Sequence, residues 1–142
     1  MFKEILLAVD LNAPETQQKA LDAALAQVKL SKGRLHVVTV IPDFGMASVA
    51  AYFPENFEKQ AIEDGLRRLT EYVKTHIPKS VSVQEIIAHG TIYHEILSYA
   101  EKVKADLIVM ASHRPELKDY LLGPNASHVV RHANCSVLVV RE

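Results

Sequence analysis

Short apolar runs alternate with amphipathic segments along the whole chain. A continuous apolar run of this length is typical of a strand that is buried on both faces of a parallel sheet. The third run, VSVQEIIA, alternates with polar residues, which favours a place at the edge of the sheet. The five predicted strands are Glu4–Val9, Arg34–Ile41, Val81–Ala88, Asp106–Ala111 and Ser136–Arg141.

Between the runs, apolar residues recur every three or four positions, as in helices that pack one face on a sheet. The stripe of the second helix is predicted at Ile62, Leu66, Leu69 and Val73. Gly33 is predicted to end the first helix, and Thr91 and Asn125 to cap the last two. The four predicted helices are Pro14–Ser31, Glu55–His76, Thr91–Val103 and Asn125–Ala133.

The strict alternation of strands and helices predicts a Rossmann-like α/β fold, a doubly wound sheet of five parallel strands with four flanking helices. No linker or change of composition divides the 142 residues, so a single domain over residues 1–142 is expected. The net charge of −1, without a basic stripe, argues against binding to nucleic acid.

Other features of composition concern the compartment. No apolar run reaches the length of a transmembrane helix, so insertion into a membrane is not expected. The opening MFKEILLAVD lacks the layout of a cleavable signal. The one cysteine, Cys135, excludes an internal disulfide framework and suits a reducing cytoplasm, and it is predicted to be a small buried residue.

Two features that favour anions lie between the last two predicted strands. Ser112, His113 and Arg114 follow a strand end, and Gly123-Pro124-Asn125-Ala126 opens a helix. Ligands of open parallel sheets bind beyond the carboxyl ends of the strands, and helix N-termini attract anions. Arg114 can also hold a phosphate with two N–H groups. We therefore predict half of a phosphate-binding site in this segment.

The same segment resembles the universal stress protein (UspA-like) family. One branch of that family reads A-S-H-R-P … L-L-G-S-N-A … V-V-R-H-A-x-C-S-V-L-V-V-R, and similar residues stand here at Ala111–Pro115, Leu121–Ala126 and Val129–Arg141. The resemblance extends over the whole chain and implies the strand order 3-2-1-4-5. With that order, Asp10 and Ala111 end the two strands at the switch point, where a ligand crevice is expected.

The resemblance implies a site for ATP, or for ADP or AMP. Apolar strand ends would hold adenine, with the backbone of Val40 against the base, and Asp10 would lie near the ribose or a nucleotide-bound Mg²⁺. The implied nucleotide-binding residues are Ala8, Val9, Asp10, Val40, Met110, Ala111, Ser112, His113, Arg114, Gly123, Pro124, Asn125 and Ala126.

The family resemblance further implies a homodimer or a higher homo-oligomer with a regulatory role in the stress response. The dimer would pair through Ser136, Val137, Leu138, Val139 and Val140. An unidentified protein partner is compatible with such a role. The chain lacks Walker A, G-x-S-x-G and G-x-G-x-x-G motifs, so ATP hydrolysis is expected to be slow at most.

Three departures from the family's Gly-x-x-Gly … Gly-Ser/Thr motif support an alternative. Ala111 and Arg114 replace the first two glycines, and Pro124 replaces the hydroxyl residue, which removes a hydroxyl and a backbone N–H. The alternative is an assembly module that no longer binds nucleotide and that interacts through Ser136–Arg141 and the apolar loop Pro42–Pro54. A flavodoxin-like flavin carrier is disfavoured, since Asp10–Pro14 stands where a Ser/Thr/Gly-rich phosphate loop is expected.

Two further candidates have simple structural explanations. His128 and His132 have the i, i+4 spacing of metal ligands, but no further Cys or His follows at a matching offset. A specific zinc site is therefore not expected. Asp106 flanks a strand at its amino end, on the side of the sheet away from the predicted crevice, and is predicted to be structural.

Overall fold

A computed structural model of the protein describes residues 1–42, 57–112 and 123–141. Its centre is a parallel sheet in which five strands follow the order β3-β2-β1-β4-β5. The predicted doubly wound sheet, its strand order and the edge position of the third strand are confirmed. The strands are β1 (Glu4–Ala8), β2 (Arg34–Pro42), β3 (Val83–Gly90), β4 (Leu107–Ser112) and β5 (Ser136–Arg141).

Helices cover both faces of the sheet. Successive residues of β1 point to opposite faces, so Leu7 belongs to the apolar cluster under α1 and α2, whereas Leu6 belongs to the cluster under α3 and α4. None of the described helices is long and apolar enough to cross a membrane. A 3-10 turn spans Pro14–Thr16, and the α-helices are α1 (Gln18–Ser31), α2 (Phe57–His76), α3 (Ile92–Lys102) and α4 (Pro124–His132).

The first helix differs from its prediction at both ends. It does not begin at Pro14 as an α-helix, because the 3-10 turn comes first. At the other end Lys32, rather than Gly33, adopts the left-handed conformation, with φ of 57°. Gly33 instead allows a close approach, since a Cβ there would lie 2.4 Å from the carbonyl oxygen of Lys3. The glycine is needed because two backbone segments meet closely.

The predicted inward stripe of α2 was wrong at one position. Leu66 is 41% exposed, and the buried residues of the helix are Gly65, Leu69 and Tyr72. A Cβ on Gly65 would lie 2.7 Å from Cδ1 of Ile87, so α2 approaches the sheet closely at this glycine. The turn that touches the sheet is thus centred on a residue without a side chain, which a hydrophobic pattern does not reveal.

The predicted N-caps of α3 and α4 also differ from the structure. Thr91 occupies the N-cap position of α3, but its side chain makes no capping hydrogen bond. Asn125 is not the N-cap of α4, since Gly123 takes that position and Pro124 is the first helical residue. Proline suits this position because the first helical N–H has no partner within the helix.

The amino end of the sheet is fastened by Asp106. Its carboxylate accepts the backbone N–H groups of Lys3 at 2.9 Å and Glu4 at 3.2 Å. The structural role predicted for Asp106 agrees with these bonds. Nearly all of the predicted apolar loop Pro42–Pro54 lies outside the described residues, except for Pro42, which ends β2.

Candidate functional site

A cleft of about 270 Å³ opens at the carboxyl ends of the strands. It lies where β1 and β4 run side by side, with Ala8 opposite Met110 in the register. The chain leaves β1 for α1 on one face of the sheet and leaves β4 for α4 on the other, so neither of these two helices covers the strand ends. This is the switch point at which open α/β sheets bind ligands.

Most of the residues predicted from the sequence meet at this cleft. Pro124 is exposed and does not line it, although it was included in the prediction. His113 and Arg114 lie outside the described residues. The predicted residues that line the cleft are Ala8, Val9, Asp10, Val40, Met110, Ala111, Ser112, Gly123, Asn125 and Ala126.

One side of the cleft is apolar. Val38 and Met110 come from the sheet, and Ile92 and Ile96 come from α3, which packs over these strands. The sequence pattern does not distinguish Val38, Ile92 and Ile96 as site residues, because they belong to the core pattern of their own elements. Together these side chains form a surface of aliphatic groups that suits a flat apolar ring system.

The opposite side is polar and begins at Asp10. The carboxylate oxygen Oδ1 of this exposed residue accepts the backbone N–H of Asn12 at 3.0 Å, which is a local turn of the kind that Asp favours. Arg68 donates to the carbonyl oxygen of Leu11 at 2.9 Å and to Oδ1 of Asn12 at 3.2 Å. Asp10 therefore has a structural role, and its Oδ2 makes no side-chain hydrogen bond to a described residue.

The polar side continues with Thr16 and Gln17, which the sequence analysis missed. They are only 8% and 7% exposed, and both line the cleft. A signal was present: the apolar stripe of α1 at Ala20, Leu21 and Ala24, extended back by one turn, falls on these two positions. Polar residues at inward positions of a helix are informative when the helix begins beside a site.

The third component is the start of α4. Gly123 is extended, with φ of −70° and ψ of 166°, and no described side chain caps this helix. The backbone N–H of Gly123 donates to Oγ of Ser112 at 3.3 Å. Asn125 and Ala126 follow on the cleft wall, and their N–H groups are among those that a helix leaves without internal partners. The positive end of the helix dipole thus faces the cleft.

The other candidates from the sequence do not form a site. His128 stacks on Tyr93 with 4.2 Å between their ring centroids. The ring centroid of His132 lies 6.3 Å from that of His128. Among residues 1–42, 57–112 and 123–141, no three His, Cys, Asp or Glu side chains are placed to hold a metal ion. Cys135 is half-buried, and burial, together with the charge of Asp106, raises the pKa of its thiol.

Comparison with known proteins identifies the family. The sequence model described as the universal stress protein family matches residues 1–141. The chain belongs to this family. Universal stress protein G of Shigella flexneri is 32% identical over 145 residues, which cover 99% of this chain and 100% of that protein.

Solved structures share the fold of this chain. The structure of the hypothetical protein MJ0577 is 30% identical, covers 100% of this chain and 97% of its own, and superposes with a TM-score of 0.81. A universal stress protein in complex with cAMP is 22% identical, with a TM-score of 0.67 and coverage of 99% of this chain and 97% of that one. This second likeness indicates a shared fold. The strand order and the layers of helices are thus those of the universal stress protein fold.

Proposed function

We propose that this universal stress protein binds an adenine nucleotide, ATP or one of its products ADP and AMP, in the cleft between β1, β4 and α4. The observation that carries the proposal is the placement of three chemically different surfaces around one opening. These surfaces are the aliphatic wall of Val38, Met110 and Ile92, the carboxylate of Asp10, and the start of α4 at Gly123, which no described side chain caps.

Each surface suits one part of a nucleotide. The aliphatic wall removes the faces of a base from water, at roughly 25 cal/mol for each Å² buried. The N–H groups of Asn125 and Ala126 and the dipole of α4 favour phosphate oxygens. Asp10, with a carboxylate oxygen that the turn does not use, suits a ribose hydroxyl or a Mg²⁺ ion held by the phosphates. The volume of about 270 Å³ is near the lower end of small-molecule pockets.

The position of Pro124 bears on the departure from the family motif. Pro124 is exposed at the first position of α4 and does not line the cleft. Its missing N–H leaves the N–H groups of Asn125 and Ala126 as donors at this helix start. We propose that these two groups hold the phosphates here. The universal stress protein solved with cAMP contains an adenine nucleotide on the same fold, which is compatible with this use of the cleft.

We further propose a regulatory role in the stress response, in the cytoplasm, in which the nucleotide is a bound signal and hydrolysis is slow at most. The described residues of the cleft include one carboxylate, Asp10, and no lysine or arginine. Fast phosphoryl transfer needs positive groups or metal ions that neutralise the developing charge. A bound nucleotide that turns over slowly is suited to regulation.

The test is the release of small molecules from the purified protein by denaturation, followed by chromatography and mass spectrometry. About one adenine nucleotide per chain is expected, or a clear rise in melting temperature when ATP is added to an empty protein. Ile92→Trp should fill the aliphatic side and abolish both signals. Leu30→Trp, at a position of α1 that is 82% exposed, is the matched control. An empty protein without any such rise would refute the proposal.

The second candidate, an assembly module, is favoured by the placement of β5. This strand forms one edge of the sheet, and Val137, Leu138, Val139 and Val140 are only half-buried in the single chain. A sheet edge offers unpaired N–H and C=O groups to a second copy. Size-exclusion chromatography with light scattering should give twice the mass of the chain. A dimer that binds no nucleotide would favour this candidate over the first.

A further inference from the structure

Gln17 lines the cleft and carries an acceptor that is unpaired among the described residues. Its side chain is 7% exposed, and its Nε2 lies 2.6 Å from Oγ1 of Thr16. The hydroxyl of Thr16 is itself 2.7 Å from the carbonyl oxygen of Ala13. A carbonyl oxygen only accepts, so the single proton of the Thr16 hydroxyl is directed to Ala13. The hydroxyl can then only accept from Gln17.

This chain of bonds fixes the orientation of the amide. The two ends of a glutamine amide are distinguished by their hydrogen bonds, and here only the NH₂ end can face Thr16. The carbonyl oxygen Oε1 must therefore point away from Thr16. It has no hydrogen-bond partner among the described residues. No side-chain oxygen or nitrogen in the described ranges is both fully buried and unpartnered, so Oε1 has accessible surface on a residue that lines the cleft.

We propose that Oε1 of Gln17 accepts a hydrogen bond from a ribose hydroxyl of the bound nucleotide, and that Gln17 thereby selects ribonucleotides over deoxynucleotides. The inference rests on the proposed nucleotide site and adds a residue that reads the sugar. A carbonyl oxygen repels phosphate oxygens, so the partner of Oε1 must be a donor. A nucleotide offers two kinds of donor, the ribose hydroxyls and the amine of adenine.

The arrangement of the walls decides between these donors. The aliphatic side chains Val38, Val40 and Met110 belong to the apolar cluster under α3 and α4. Gln17 stands at the start of α1, whose buried side chains belong to the other cluster. A base on the aliphatic wall places its amine on the far side from the sugar. The hydroxyls therefore lie closer to the wall that contains Asp10 and Gln17.

A double-mutant cycle between protein and ligand tests the contact. Dissociation constants of ATP, 2′-deoxy-ATP and 3′-deoxy-ATP are measured by calorimetry for the wild type and for Gln17→Met, a substitution of similar volume that removes the acceptor. The wild type should bind ATP on the order of tenfold more tightly than one of the deoxy analogues. Gln17→Met should lose that preference, while its affinity for the same deoxy analogue stays within about twofold.

The neighbouring Gln18 supplies a matched control. It is exposed, donates to Asp22 at 2.9 Å and does not line the cleft, so Gln18→Met should keep the preference for the ribonucleotide. A wild type that binds all three ligands equally would overturn the inference, even if Gln17→Met did not fold. An equal loss for ATP and both analogues in Gln17→Met would also overturn it, since that result indicates a structural role.

The outcomes separate this inference from the function on which it rests. If the wild type binds none of the three nucleotides, the proposed nucleotide site is wrong. If it binds them and the cycle shows no coupling to either hydroxyl, the site stands and the assignment of Gln17 is wrong. Coupling to the 2′ or the 3′ hydroxyl that disappears in Gln17→Met supports the inference.

Discussion

The hydroxyl of Ser112 accepts the backbone N–H of Gly123 at 3.3 Å and so joins the last residue of β4 to the start of α4. The two residues are eleven positions apart, and both line the cleft. The bond fixes where the N-terminus of α4 stands relative to the strand ends. In a nucleotide complex, this relation would set the distance between the sugar and the phosphate groups.

Ser112→Ala should therefore weaken nucleotide binding as well as the fold. We expect the free energy of unfolding to fall by about 1 kcal/mol, the usual loss for one hydrogen bond. The affinity for ATP should fall roughly fivefold, because the helix start is less well fixed. Calorimetry and urea unfolding measure the two effects. Ser136→Ala, at the exposed start of β5, is the control, and an unchanged ATP affinity in Ser112→Ala would contradict the prediction.

The structural and charged roles of Asp10 can be separated by one substitution. Asp10→Asn keeps an oxygen that accepts the N–H of Asn12 and removes the charge. We expect the free energy of unfolding to change by less than about 0.5 kcal/mol. If Asp10 binds a nucleotide-held Mg²⁺, the affinity for ATP should fall roughly tenfold with Mg²⁺ present and stay unchanged in EDTA.

The exposed Glu15 of the 3-10 turn does not line the cleft, and Glu15→Gln therefore controls for the loss of one negative charge near the site. Equal losses of ATP affinity for Asp10→Asn with and without Mg²⁺ would assign Asp10 to the sugar instead of the metal. An unchanged ATP affinity in both conditions would show that Asp10 only stabilises the turn with Asn12.

The fold followed from the sequence because the strands inside the sheet are nearly continuous apolar runs and the third strand alternates with polar residues. In such a run, like Ile5 to Leu7, successive side chains point to opposite faces of the sheet and are buried on both. The run therefore predicts a strand between two layers of helices. The strand order is a different kind of information. It depends on which runs pair, as Ala8 does with Met110, and that came from the family resemblance rather than from periodicity.

The site was predicted in part for a related reason. Asp10 and Gly123 stand at strand and helix ends, where turn chemistry is visible in the sequence. Gln17 was missed because it lies on the inward stripe of a helix, and its place beside the cleft depends on the 3-10 turn that precedes α1. Leu66 shows the opposite error, since an apolar residue at the right spacing was assigned to the core and is exposed.

Cys135 should react slowly with thiol reagents. Burial raises the pKa of the thiol, and the charge of Asp106 adds to the effect, so less thiolate is present at a given pH. At about pH 8, modification by a disulfide reagent should be slower than for a small free thiol. The rate should rise with pH and reach half its maximum at a higher pH in the native protein than in urea.

The same shift has a consequence for stability. A thiol whose pKa is raised in the native state keeps a proton that the unfolded chain releases, so the unfolded state binds fewer protons. The contribution of Cys135 to the free energy of unfolding is therefore fully present below the ordinary thiol pKa. It is lost as the pH rises through the raised pKa of the native thiol. Cys135→Ser should reduce the fall in melting temperature over this alkaline range. An identical fall in melting temperature for the wild type and Cys135→Ser would show that Cys135 does not cause it.

Two neighbouring residues at the end of α1 should respond to substitution in opposite directions. Gly33→Ala places a Cβ 2.4 Å from the backbone oxygen of Lys3, whose position is fixed because the same oxygen accepts the N–H of Arg34 at 2.7 Å. We expect the free energy of unfolding to fall by about 1–3 kcal/mol, as for other overpacked sites. Lys32→Gly should instead raise it by about 1 kcal/mol, since φ of 57° is strained for lysine and not for glycine. Urea unfolding of both variants measures these changes. Stabilisation by Gly33→Ala would show that the close approach to Lys3 does not require a glycine at this position.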